Sequence, residues 1–220
     1  MIVDKFCEDR LLTLEERAAY NFLEFWERIK GDGKQKEIFK TIVDSYSETH
    51  RAYHTLKHIV DCIKEFQDMP YISEHPNEIE MALWFHDIIY DTRAKDNEEK
   101  SAKLAYDVAE RMVMPEFFNK RVYDLILTTK HREIPNDTDS QVLVDIDLSI
   151  LGKPKKEFND YELNIRKEYL WVPEEQYKLG RSTILKNFLE RTRIYSTDYF
   201  YKKYENKARE NIQGSLNALK

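Results

Sequence analysis

Residues 77–90, NEIEMALWFHDIIY, decide the fold. Apolar side chains occupy nearly every helical face of this run, with Ala82, Leu83, Trp84, Phe85, Ile88 and Ile89 crowded around one histidine and one acid. In a soluble chain, a helix without a polar face is a helix surrounded by other helices. The run is therefore expected to be the central buried helix of an all-α bundle, and it poses a problem. His86 and Asp87 stand inside it, and an ionised carboxylate there costs on the order of several kcal/mol unless it is paired or ligates a metal.

The rest of the chain agrees with helices. Apolar residues make up 41% and charged residues 35%, with only 5 Gly and 6 Pro in 220 residues, a composition that argues against a turn-rich β architecture. No Pro-, Gly- or Ser-rich stretch divides it, so one domain over 1–220 is expected, with a core at about 51–150 and C-terminal helices at 154–219. TLEERAAYNFLEFWERIK (13–30) opens with Thr13 three residues before Glu16, a capping-box spacing, and continues with apolar residues on one face. KQKEIFKTIVDSY (34–46) and TLKHIVDCIKEFQDM (55–69) read as amphipathic helices, as do 97–112, 117–131, 174–193 and 196–220. QVLVDIDLSILG (141–152) is ambiguous, since its alternating Val142, Val144, Ile146, Leu148 and Ile150 suit a strand as well as a buried helix.

A net charge of −6 speaks against bulk attraction to nucleic acid or an anionic membrane. Any anionic substrate must be met by placed cations. The amino terminus has no basic segment followed by a long apolar one, and nowhere do 18 apolar residues run together, so a cytoplasmic, soluble protein is expected. Cys7 and Cys62 fit neither a disulfide framework nor a zinc-ribbon spacing and read as reduced thiols.

Five further polar residues draw attention. His54 and His58, four apart, share one helix face if the helix begins by Tyr53. Asp145 and Asp147 interrupt VLVDIDLSI, where they read either as ligands or as helix-capping carboxylates. His131, near the end of a helix, is also explained by the helix dipole.

A histidine, then His-Asp, then a distant Asp, on separate helices of an all-α domain, resembles the HD superfamily of metal-dependent phosphohydrolases. RAYHTLKHI (51–59) is similar to its first motif and IDLSILG (146–152) to its last; the resemblance selects His54 over His58 and Asp147 over Asp145 as ligands. YHTLKHI, ALWFHDIIYD, DNEEKSA, DIDLSILG and FLERTRIYSTDYF with ENKARENI resemble a small stand-alone bacterial branch of predicted HD phosphohydrolases, over residues 51 to 211. Asn97 departs from dinuclear members, some of which carry another ligand histidine nearby.

The resemblance implies a divalent ion held by His54, His86, Asp87 and Asp147, with His58, His131 and Asp145 as candidates for a second one. Two imidazoles and two carboxylates suit Mn²⁺, Fe²⁺, Co²⁺, Ni²⁺, Zn²⁺ or Mg²⁺, and such an ion would activate water against a phosphoryl group. Asp87, Glu98 and His58 are the candidate catalytic residues, Glu98 by orienting water, although Glu in a first helical turn also suits the dipole. His58, Lys57 and Arg51, with Arg193 and Arg209 in a tail that also carries Arg191, are the candidate contacts to substrate. The expected activity is hydrolysis of a nucleotide or another small phosphorylated compound. A di-iron oxygenase on the same scaffold and a non-catalytic nucleotide-binding module are the alternatives.

Overall fold

The computed structural model describes residues 12–31, 33–70 and 73–219, and among them there are ten α-helices and no strand. In chain order these are α1 (Leu14–Arg28), α2 (Gln35–Tyr46), α3 (Leu56–Asp68), α4 (Pro76–Phe85), α5 (Asn97–Arg111), α6 (Glu116–Thr128), α7 (Thr138–Asp147), α8 (Lys155–Glu168), α9 (Glu174–Glu190) and α10 (Asp198–Ala218). A 3₁₀ segment, Leu148–Gly152, follows α7 directly.

The apolar run at 77–90 does what its composition demands. Ile79, Met81, Ala82, Leu83, Trp84 and Phe85 are buried, and α4 packs against α3, α5, α6 and α7. Pro76 at its first position needs no amide partner there, which suits proline to a helix start. The capping box at Thr13 forms as the spacing predicts: the Thr13 N–H donates to Glu16 Oε2 at 2.8 Å, and the Glu16 N–H donates to Thr13 Oγ1 at 3.2 Å. Ala18, Phe22, Phe25 and Trp26 are the buried face of α1, whereas Leu14 is exposed.

The ambiguous segment at 141–152 is helical, α7 followed by the 3₁₀ turn. Its alternation misleads because Val142, Leu143, Val144, Asp145 and Ile146 are all buried, so polarity does not mark faces there. The tail holds a helix more than the two read from its periodicity, since α8 precedes α9 and α10. Among the described residues no helix is long and apolar enough to cross a membrane. Cys62 is a buried free thiol, and Cys7 lies outside the described residues.

The C-terminal helices attach to the bundle through the 3₁₀ turn, against which α8 and α10 both pack. Gly152 is what permits that approach. A Cβ added to it would stand 2.4 Å from Tyr204 Cβ, an atom that cannot swing away. Gly152→Ala is therefore expected to lower the unfolding free energy by about 1–3 kcal/mol, as overpacking does; a denaturant midpoint equal to wild type would show that α10 can shift to absorb a methyl group.

Candidate metal centre

The helix α4 ends at Phe85, so His86 and Asp87 occupy the turn after it and not its interior. This corrects the expectation of a central helix that itself carries the doublet. The physical reason lies in the carbonyl groups that a helix C-terminus leaves without amide partners. Tyr46 Oη donates to the Trp84 carbonyl at 3.1 Å, His86 Nδ1 donates to that of Leu83 at 2.9 Å, and the Ile88 N–H reaches that of Phe85 at 3.1 Å. Arg51, its side chain fully buried, donates to the carbonyls of His54 (3.1 Å), Asp87 (2.6 Å) and Ile88 (2.9 Å). Ser101 Oγ receives the Ile89 N–H at 3.1 Å. The turn is thus pinned from α2, α5 and the segment before α3.

Four donor groups converge below this turn. His58 Nε2 and His86 Nε2 are 3.1 Å apart, and Asp147 Oδ1 lies 3.3 Å from the first and 3.6 Å from the second. Asp87 Oδ2 is 3.2 Å from His86 Nε2 and 3.7 Å from His58 Nε2. Ligands bound about 2.1 Å from one ion stand about 3.0 Å apart at right angles and about 3.4 Å apart in a tetrahedron. The observed separations fall in or just above that range, and His58, His86 and Asp147 form a group that could hold an ion. The Leu83 carbonyl can only accept, so Nδ1 of His86 carries a proton, and in the neutral ring the Nε2 lone pair would face the cluster, the tautomer a metal ligand needs.

His54, selected over His58 by the resemblance, stands farther out. Its Nε2 is 3.9 Å from Asp87 Oδ2, and its Nδ1 donates to Glu168 Oε2 at 2.7 Å. The shared-face argument for His54 and His58 does not hold, because α3 begins at Leu56 and Thr55 is extended, with φ −110° and ψ 175°. His131 donates from Nε2 to Asp147 Oδ2 at 2.8 Å, and its Nδ1 is buried without a partner among the described residues. It adopts φ 53°, a left-handed conformation that costs a non-glycine residue about 1 kcal/mol.

The electrostatics follow from this crowding. Although burial opposes the charged form, the carboxylates of Asp87 and Asp147 hold the His86 imidazole well above its usual range. Burial likewise opposes ionisation of the two acids, yet His86 and His54 hold Asp87, and His131, His58 and His86 hold Asp147, well below the usual carboxylate range. Without an ion His86 keeps a proton that a divalent cation would displace.

Asp87 and Asp147 line a cleft of about 1070 Å³, the size of a small-molecule site, while His58 and His86 are buried outside its lining. His54, Asp87, His131 and Asp147 line its floor, Lys95, Asn97 and Glu98 one side, and Tyr177, Gly180, Ile184, Asn187 and Arg191 of α9 another. Asn97 brackets the loop before α5, receiving the Asp91 N–H at 3.1 Å and donating to the Asp91 carbonyl at 2.9 Å.

Several expected site residues have other work. Arg51 is the staple described above. Lys57 is exposed and pairs with Asp61 at 2.6 Å. Arg193 pairs with Asp198 at 2.9 Å, and Arg209 pairs with Glu205 at 2.7 Å while donating to the carbonyls of Leu189, Arg191 and Thr192. None of these four lines the cleft. Asp145, a candidate for a second ion, is committed to the turn before α10: Oδ1 receives the Ser196 N–H and Oδ2 both the Thr197 N–H and its hydroxyl, at 2.7–2.8 Å. It is neither a helix cap nor one of the clustered donors, but a buried brace for the 196–197 backbone.

Glu168 went unread in the sequence. Its Oε1 receives the N–H groups of Ala52, Tyr53 and His54 at 2.7–2.9 Å, and its Oε2 receives His54 Nδ1 and the Tyr90 hydroxyl. One signal was available: an acid in the last turn of a helix opposes the helix dipole, so IRKEYL places a carboxylate where another partner must hold it. Compared with family models, curated proteins and solved structures, the chain has no match.

Proposed function

We propose that the chain is a metal-dependent phosphohydrolase of the HD type, acting on a nucleotide or another small phosphorylated compound. The observation that carries this reading is the convergence of two imidazole nitrogens and two carboxylates at 3.1–3.7 Å, with both carboxylates lining a cleft large enough for such a molecule. A divalent ion held by His58, His86, Asp87 and Asp147 would supply Lewis-acid chemistry, polarising a phosphoryl oxygen and acidifying a water. The side chains divide the remaining tasks. His131 and Arg51 orient the Asp147 carboxylate and the Asp87 backbone, the outer partners on which a ligand's aim depends. Glu98, facing the cleft from the first turn of α5, is assigned to orient the attacking water.

The test is phosphate or pyrophosphate release from a panel of nucleotides and small phosphoesters, with Mn²⁺, Co²⁺, Ni²⁺ or Fe²⁺ supplied. Wild type is expected to release product with at least one metal, and Asp87→Ala with none. Silence from wild type under every metal would sink the hydrolase reading. Two irons per chain together with oxygen consumption would replace it with the oxygenase alternative.

A further inference from the structure

Arg191 follows α9 directly and lines the cleft. Its Nη2 donates to the His131 carbonyl at 2.9 Å, and its guanidinium lies over the Phe188 ring, 4.7 Å from the centroid. His131 in turn donates to Asp147, so a single residue separates this cation from the centre. Among the described residues no carboxylate pairs with it. Arg132, on the same cleft, likewise has no paired carboxylate, whereas Arg181 pairs with Glu162, Arg166 with Glu174, Arg193 with Asp198 and Arg209 with Glu205. A half-buried guanidinium without a counter-charge is costly, and burial alone pushes its pKa down. Its position is nonetheless fixed, because Arg209 donates to the Leu189, Arg191 and Thr192 carbonyls and so holds the backbone on both sides. One carbonyl occupies one of five guanidinium donors, and the others point to an anion that the protein itself does not provide.

We propose that Arg191 receives the non-bridging oxygens of a phosphate in the cleft, gripping from the α9 wall the group that the centre holds from the floor. This deepens the phosphohydrolase reading and rests on it for the identity of the anion. The same helix face says where the rest of the molecule lies. Asn187 and Ile184, both exposed and both lining the cleft, precede Arg191 by about 6 and about 10 Å of helix rise. An amide edge and an aliphatic surface at that distance suit the remainder of a small phosphorylated compound that has both a hydrogen-bonding and an apolar part.

The experiment is a calorimetric titration of inorganic phosphate into the Mn²⁺-loaded protein, comparing wild type, Arg191→Met and Arg191→Lys, with manganese content and far-UV circular dichroism measured for each. Methionine keeps an apolar stem against Phe188 and removes the charge; lysine keeps the charge and loses the planar fork. Arg191→Met is expected to retain the metal and the fold and to bind phosphate about 10- to 100-fold more weakly, as loss of a charge-assisted hydrogen-bonding group does, with Arg191→Lys in between. A change under threefold in Arg191→Met, or no phosphate binding by metal-loaded wild type, overturns the proposal. Loss of manganese from both variants also overturns it, since Arg191 would then be a support for His131. Arg191-dependent phosphate binding without any turnover would leave this proposal standing and sink the hydrolase, whereas turnover with binding indifferent to Arg191 would do the reverse.

Discussion

The His58→Ala variant is expected to lose its divalent ion and its turnover together, while His54→Ala is expected to keep the ion with weakened affinity. The distances set this order. His58 Nε2 stands 3.1 Å from His86 Nε2 and 3.3 Å from Asp147 Oδ1, whereas His54 Nε2 comes no closer than 3.9 Å to Asp87 Oδ2. Removing an outer partner of a metal site costs about 10- to 100-fold in affinity, and removing a ligand costs more. Metal retained after gel filtration, and chelator competition on both variants, give the two affinities directly. If His54→Ala strips the ion and His58→Ala does not, His54 is the ligand and His58 a neighbour. The affinity should also fall as pH is lowered, because the carboxylates hold a proton on His86 that the ion must displace, and uptake of the ion should release protons.

That contrast marks where the sequence stops being sufficient. The largely apolar run at 77–90 and the spacing of Thr13 and Glu16 were readable, because burial on nearly all faces and a reciprocal cap are local properties. The start of α3 was not. Two residues decide whether His54 or His58 faces the centre, and the helix begins at Leu56 because the preceding amides of residues 52–54 are bound to Glu168, a residue more than a hundred positions away. Asp145 and Asp147 have the same chemistry two residues apart, and only the packing of the 194–197 turn separates a backbone brace from a candidate ligand. Among 35 Lys and Arg residues, nothing local distinguishes Arg191, which has no carboxylate, from Arg193 and Arg209, which have one each.

Glu168→Ala is expected to be the most destabilising single change near the centre, and the size follows from its carboxyl group. Burial opposes its ionisation, yet the His54 imidazole and the backbone amides of Ala52 and His54 bring it from an ordinary 4.5 down to about 2. That difference corresponds to about 3 kcal/mol of folding free energy. For a chain of this length the melting temperature should fall by about 6–12 °C. The sign of the pH dependence is fixed by the direction of the shift. A carboxyl whose folded pKa is depressed contributes its stability fully above pH 4.5 and loses it as the pH falls towards 2. The gap in unfolding free energy between wild type and variant should therefore narrow from pH 6 down to pH 3 in urea titrations; a gap that stays constant would mean that packing, not charge, is what Glu168 supplies. Glu168→Gln separates the two oxygens. Its amide oxygen can still receive the N–H groups of Ala52, Tyr53 and His54, so the segment before α3 should stay in place. Its NH₂ group would replace Oε2 and face His54 Nδ1, which now carries a proton. The imidazole can satisfy that NH₂ group only by moving its proton to Nε2, the nitrogen 3.9 Å from Asp87. The tautomer, read from ¹⁵N chemical shifts of the ring, should switch in Glu168→Gln while stability falls less than in the alanine variant. If His54 keeps its proton on Nδ1, the carboxylate does not set its tautomer, and the link between the end of α8 and the floor of the cleft is one of position alone.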